Sequence, residues 1–343
     1  MSRKKICLLH TGGTIGMVKG EKGYETREGY LYGQLLEIAD LSKSEMPEYT
    51  LIELSPLLDS SDMAVAEWNR IGSEIARLYE EYDGFVVLHG TDTMAYTAAA
   101  LSFMLENLDK PVVLTGSQIP LCEVRSDGRD NIITSLLIAS SGNIREVCLY
   151  FGDKLLRGNR AMKMSADGLI AFASPNYPPL AEVGINIRYR MSEEQTAATS
   201  DTAGKSAFRF QPFYEAPIGV LKLFPGINFS LFDAVMTEKL KGVVLETFGA
   251  GNIPGEGNAL LPIIKRAFAA GAVVTVCSQC PQGTVSLGSY ASSSALVEAG
   301  AVSGYDMTTE AAVAKLYYLF SKGYGSNEIK TLMEKSLRGE LTI

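Results

Sequence analysis

The chain has 343 residues, of which 46% are hydrophobic and 20% charged; this is close to a globular average and excludes a disordered, collagenous or coiled-coil chain. Thirty-one Lys and Arg against 39 Asp and Glu leave a formal charge of −8, with no basic stripe of the kind a nucleic-acid binder carries. The length suits about two domains, and no run approaches the ~18 apolar residues of a membrane helix.

In chain order, residues 6–10, 51–54, 85–89, 112–115 and 147–151 read as short strands with both faces apolar, as in a parallel sheet covered by helices. Helical patterns lie between them. Trp68, Ile71, Ile75, Leu78, Tyr79 and Tyr82 recur at helical spacing, with Asp62 as the expected N-cap. Residues 94–105 and 131–139 read as further helices. The alternation predicts an α/β fold, with a larger N-terminal domain built on a doubly wound, mainly parallel sheet. Residues 191–206 are polar and aperiodic, which suggests a linker. Strands at 220–223, 243–245 and 272–277 and helices at 229–240, 259–270, 309–321 and 327–337 then resume the alternation. The expected division is an N-terminal domain over 1–190, a linker over 191–215 and a smaller C-terminal α/β domain over 216–343.

Five cysteines, Cys7, Cys122, Cys148, Cys277 and Cys280, give an odd count. Cys7 and Cys148 sit in apolar strand-like runs and read as buried, reduced thiols. Cys277 and Cys280 form a lone CxxC, which reads as ordinary packing rather than a redox or metal pair. The apolar run after Lys5 is too short for a secretory signal. A cytoplasmic location is therefore expected. The two histidines, His10 and His89, each end a strand-like run and read as structural hydrogen-bonding groups; a zinc site would need other ligands.

Ligands of open α/β sheets bind beyond the carboxyl ends of the strands. Here four successive strands are followed by Thr11-Gly12-Gly13-Thr14-Ile15-Gly16, Asp59-Ser60-Ser61-Asp62, Gly90-Thr91-Asp92-Thr93 and Gly116-Ser117-Gln118. Polar turn chemistry accounts for any one of these; four together point to a site. The first turn is GGxxG rather than GxGxxG, and neither a P-loop nor a GxSxG elbow is present. Threonine chemistry remains, with Thr14 and Thr91 after separate strands and Asp92 beside Thr91. A threonine hydroxyl must pass its proton to a neighbour as it attacks. A lysine of lowered pKa could take it, but composition does not say which.

These residues resemble a family. Thr11-Gly12-Gly13-Thr14-Ile15-Gly16-Met17 and Leu88-His89-Gly90-Thr91-Asp92-Thr93-Met94 are similar to the two signature segments of bacterial-type L-asparaginases. The likeness runs nearly end to end, through Asp59–Met63, Thr115–Pro120, Arg157–Arg160, Phe172–Asn176 and Leu337–Leu341, and is greatest to the cytoplasmic, type I branch. It implies hydrolysis of the L-asparagine side-chain amide through an acyl-enzyme. Thr14 would match the nucleophile. Tyr24 would match a tyrosine on a mobile lid, and residues 17–30, glycine-rich and charged without a core pattern, suit a lid. Thr91, Asp92 and Lys163 would form the second cluster. Asp59, Ser60, Ser61, Thr91 and Asp92 would bind substrate, with Ser117 beside the scissile amide. Asn252 would reach into the site of a neighbouring subunit, in a homotetramer built as a dimer of dimers or in a homodimer.

Some relatives carry a second, activating asparagine site. Met162, Glu246 and Glu298 replace the residue types found there, and a glutamate repels a carboxylate, so the same activation is not expected. No metal or organic cofactor is implied. The other readings are a broader glutaminase-asparaginase, an amidotransferase subunit (which would carry an extra domain before the first threonine motif), and a non-catalytic amino-acid-binding regulator on the same fold.

Overall fold

The computed structural model describes residues 3–21, 23–190, 206–232, 240–254, 260–289 and 291–343. Two compact units are present, Met1–Pro212 and Phe213–Ile343, and both are α/β. Of the linker expected over 191–215, residues 191–205 lie outside the described residues.

The first unit runs β1 (Lys5–Gly12), β2 (Met17–Gly20), β3 (Gly23–Thr26), α1 (Tyr30–Glu37), β4 (Glu48–Leu58), α2 (Val65–Arg77), β5 (Gly84–Leu88), α3 (Met94–Met104), β6 (Leu105–Glu106), β7 (Val112–Thr115), α4 (Gly128–Ser140), β8 (Val147–Phe151) and β9 (Lys154–Arg157). Then come β10 (Met162–Lys163), β11 (Phe172–Ala173), β12 (Ala181–Val183), β13 (Ile187–Tyr189) and β14 (Arg209–Phe210). The main sheet has eight strands in the order β13-β12-β9-β8-β7-β5-β1-β4. Pairing is parallel from β4 through β8 and antiparallel from β8 to β13. Strand β1 lies inside the sheet and is buried from Ile6 onward, which is why its residues are apolar on both faces.

Strand β4 departs from that expectation. It is the sheet edge, with one neighbour, and its residues 51–54 are only half-buried. Its alternation with Glu48 and Glu53 suits a strand covered on one side. Helix α2 also begins later than expected. Asp62 belongs to a one-turn 3-10 helix, Ser60–Asp62, and Ala64 is the N-cap, its N–H bonded to the Glu67 carboxylate at 3.2 Å. Residues 17–26 are more than a polar loop. β2 and β3 form a hairpin, and Met17 and Val18 at its base are buried.

The second unit is a four-stranded parallel sheet in the order β15 (Ile218–Lys222), β16 (Gly242–Thr247), β17 (Val273–Ser278) and β18 (Val302–Ser303). Helices α5 (Leu260–Ala269), α6 (Ala291–Glu298), α7 (Thr309–Ser321) and α8 (Ser326–Met333) accompany it. Of the helix expected at 229–240, Phe229–Phe232 is a 3-10 turn and residues 233–239 lie outside the described residues. Helix α8 stops short of 337 because the following chain folds around an ion pair. Glu340 accepts the N–H groups of Leu337 and Arg338 and pairs with Lys315 at 2.6 Å, both side chains fully buried. Lys315 also donates to the carbonyls of Met333 and Lys335. Every charge in this clasp is hydrogen-bonded, as burial demands.

His10 and His89 are completely buried. Burial pushes each imidazole down to about 4 from an ordinary value near 6.5. The unfolded chain therefore binds protons that the folded chain refuses. Stability from the two rings is fully present above about pH 6.5 and is lost as pH falls toward 4, on the order of 3 kcal/mol per ring. Urea unfolding from pH 7 to pH 4 is expected to show a midpoint that falls through this window. A flat midpoint would show that both rings protonate freely in the native state.

Candidate active site

The carboxyl ends of β4, β1, β5 and β7 lie side by side in the parallel part of the sheet, so the turns that follow them meet. They meet backbone to backbone. A Cβ placed on Gly13 would lie 2.2 Å from the Gly90 nitrogen, and one on Gly90 would lie 2.5 Å from Ser60 Oγ. A Cβ on Gly12 would strike the Leu58 carbonyl, and one on Gly116 the His89 carbonyl. Gly13 also has φ +80° and donates its N–H to Leu58 O at 3.0 Å. Only glycine combines that conformation with that closeness. Thr14 and Thr91, each the next residue along, are thereby brought to neighbouring positions.

Thr91 is buried and sits in a connected polar cluster. Lys163 Nζ donates to Thr91 Oγ1 at 2.9 Å and to Asp92 Oδ1 at 2.5 Å. Thr91 Oγ1 donates to Gln118 Oε1 at 3.1 Å, and Gln118 Nε2 donates to Gly168 O. Lys163 arrives on the short antiparallel pair β10–β11. The Gln118 turn is held from behind: Asp127 accepts the N–H groups of Gln118 and Ile119, and Asn131 donates to Gly116 O and Asp127 Oδ2. Asp127 thus spends its carboxylate on this turn rather than on capping α4.

Asp59 caps its own turn, accepting from Ser61 N–H at 2.9 Å and Ser61 Oγ at 3.0 Å. Ser60 is buried, and its carbonyl accepts Thr93 Oγ1 at 2.7 Å, which ties the second turn to the third. Asp92 is 64% exposed, leaving Oδ2 open to an incoming cation. Ser117 is almost fully buried, and its Oγ has no hydrogen-bond partner among the described residues. Thr14 opens a one-turn 3-10 helix, Thr14–Gly16, and is half-buried.

Tyr24 is engaged by Glu123. It lies on β3, half-exposed, and donates to Glu123 at 2.8 Å, which raises its pKa. The structure gives no hydrogen bond between Tyr24 and Thr14. Asn252 belongs to the second unit, in a tight loop closed by reciprocal backbone bonds with Phe248. The histidines act on backbone: His10 Nδ1 accepts Gly12 N–H at 3.4 Å, and His89 Nδ1 meets Gly90 O at 2.7 Å. Cys277 is buried, its thiol pushed up to about 12, while Cys280 is exposed. Among the described residues no three His, Cys, Asp or Glu gather as a metal site, and no helix is long and apolar enough to cross a membrane.

Gln118, Asp127 and Glu123 carry parts of this arrangement that the sequence did not assign. An aspartate placed before a helix is the only signal Asp127 gives in the sequence, and it does not point to the Gln118 turn. Gly13→Ala is expected to destabilise the first unit by at least ~2 kcal/mol in urea unfolding, through strain and steric conflict. Gly33→Ala, in α1 with open space around it, is expected to be neutral or stabilising. Equal stability of both variants would show that the Gly13–Gly90 approach is loose.

A family profile described as "Asparaginase, N-terminal" matches residues 5–195, and one described as "Glutaminase/Asparaginase C-terminal domain" matches residues 217–333. The chain is 46% identical over 342 residues to L-asparaginase 1 of Escherichia coli strain K12, covering 100% of this chain and 99% of that protein. Among solved structures, L-asparaginase I from Vibrio cholerae is 45% identical with a TM-score of 0.89, and 100% of each chain is covered. The thermostable L-asparaginase from Thermococcus kodakarensis is 34% identical with a TM-score of 0.88, covering 99% of each chain. The chain belongs to the asparaginase family, hydrolases that act on an amide bond.

Proposed function

We propose that the protein hydrolyses the side-chain amide of L-asparagine, giving L-aspartate and ammonia, with Thr14 as nucleophile. The observation that carries this reading is the Gly13–Gly90 contact. It sets a threonine that makes no side-chain hydrogen bond among the described residues beside a second threonine already bonded to Lys163.

Thr14 Oγ1 attacks the amide carbon and gives up its proton. The oxyanion is met by backbone N–H groups of the glycine turns. Collapse expels the amide nitrogen, which takes a proton and leaves as ammonia. Water then attacks the aspartyl ester, the Thr14 oxygen recovers a proton, and aspartate departs. Tyr24 donates to Glu123, so its oxygen lone pairs are free to receive the Thr14 proton while its own proton moves toward the carboxylate. Thr91, Lys163 and Asp92 form the second polar cluster, which orients the amide and the attacking water.

Recognition follows the same turns. The open oxygen of Asp92 takes the substrate α-ammonium. Hydroxyls and N–H groups around Asp59, Ser60 and Ser61 take the α-carboxylate, and the unpaired Ser117 hydroxyl lies toward the amide. The region over 1–190 is thus the catalytic domain. Asn252 completes a neighbour's site in a homodimer or homotetramer. Free, buried thiols at Cys7, Cys148 and Cys277 suit the cytoplasm.

The test is ammonia release from L-asparagine and L-glutamine by wild type, Thr14→Ala and Thr91→Val. Wild type is expected to turn over asparagine, and each variant to lose at least ~1,000-fold in kcat/KM, since groups that act as a unit fail together. Wild-type turnover by Thr14→Ala would overturn the nucleophile. The glutamine trace sets the specificity, because one methylene is worth only ~1–3 kcal/mol of discrimination.

A further inference from the structure

Behind the Thr91 turn runs a chain of hydrogen bonds made entirely of buried groups. His89 Nδ1 lies 2.7 Å from Gly90 O, Thr97 Oγ1 lies 2.9 Å from His89 Nε2, and Trp68 Nε1 lies 3.1 Å from Thr97 Oγ1. The exposures of Trp68, His89 and Thr97 are 7%, 0% and 0%. Chemistry assigns every proton in it. A carbonyl only accepts, so Nδ1 carries the hydrogen. A neutral imidazole has one N–H, so Nε2 accepts and the Thr97 hydroxyl donates. The Thr97 oxygen then accepts the indole N–H, which only donates. The polarity runs one way, from Trp68 on α2 through Thr97 on α3 to the Gly90 carbonyl.

That carbonyl needs a holder. Gly90 is pressed between Gly13 and Ser60, and it lies beyond β5 where no sheet partner serves its oxygen. The Gly90 carbonyl and the Thr91 N–H belong to one planar peptide and point in opposite directions. Fixing the carbonyl toward His89 fixes the Thr91 N–H away from it, and that N–H has no partner among the described residues. The same peptide sets the base from which Thr91 Oγ1 reaches Lys163 and Gln118.

We propose that His89 is a positioning residue for amide hydrolysis: the Trp68–Thr97–His89 chain clamps the Gly90 carbonyl and thereby aims the amide and hydroxyl of Thr91. The inference rests on the reading that Thr91 belongs to the active site. It gives the neutral His89 ring a role in the reaction without contact with substrate.

The test uses the full chain with Thr97→Val, which keeps shape and removes the donor, and Thr97→Ser, which restores it. Thr97→Val is expected to lower kcat for L-asparagine by about 10- to 100-fold, with KM within about threefold, as misplacement of a reacting group does. Thr97→Ser is expected to recover kcat to within about threefold of wild type. Wild-type kcat in Thr97→Val, beside an inactive Thr91→Val, would overturn the clamp while leaving the role of Thr91 intact. Full turnover by Thr91→Val would instead overturn the reading beneath it. In wild type, the imidazole nitrogen shifts from 15N NMR are expected to show neutral His89 protonated at Nδ1 at pH 7. A ring protonated at Nε2 would contradict the chain of donors even if neither variant folded.

Discussion

The site depends on one constraint, that neighbouring strand ends touch through their backbones. Parallel strands lie ~4.8 Å apart, and the turns beyond them would ordinarily be kept apart by side chains. Here Gly12, Gly13, Gly90 and Gly116 remove those side chains where the turns cross. The result is a small number of polar groups placed close together and held by the whole sheet. The Thr93 bond to Ser60 O and the Gly13 bond to Leu58 O lock the same crossing laterally. A site built this way is rigid on the strand side, which is the preorganisation that charge development in an acyl transfer calls for.

Electrostatics follow from that placement. The Lys163 ammonium is shared between a buried hydroxyl and an exposed carboxylate. Asp92 therefore faces solvent with a free oxygen while its other oxygen is fixed, a geometry suited to receiving an ammonium group. Lys315 and Glu340 make the contrasting case in the second unit. That pair is closed on every side by backbone partners, and its chemistry is exhausted in holding the C-terminal segment.

Much of this was legible in the sequence, for identifiable reasons. Strands β7 and β8 and helix α7 fall at their expected residues because strong apolar patterns end at abrupt polar turns. The four turns stood out because hydroxyls, carboxylates and glycines followed each of β1, β4, β5 and β7. Edge strand β4 was harder to read, since half-burial leaves a mixed pattern. Helix α6 escaped because its serine-rich sequence carries little apolar periodicity. Lys163 could not be found from spacing at all. It lies 72 residues from Thr91 on a two-residue strand, so only the family resemblance pointed to it. The roles of Gln118, Asp127 and the His89–Thr97–Trp68 chain depend on side-chain direction, which periodicity does not report.

The central claim is that the interlocked turns present Thr14, rather than Thr91, as the group that is acylated. The most direct measurement is acid quenching of the Lys163→Met variant during turnover of L-asparagine, followed by peptide mapping by mass spectrometry. The account predicts an aspartyl ester on the tryptic peptide that contains Thr14. An ester on the peptide that contains Thr91 would contradict it.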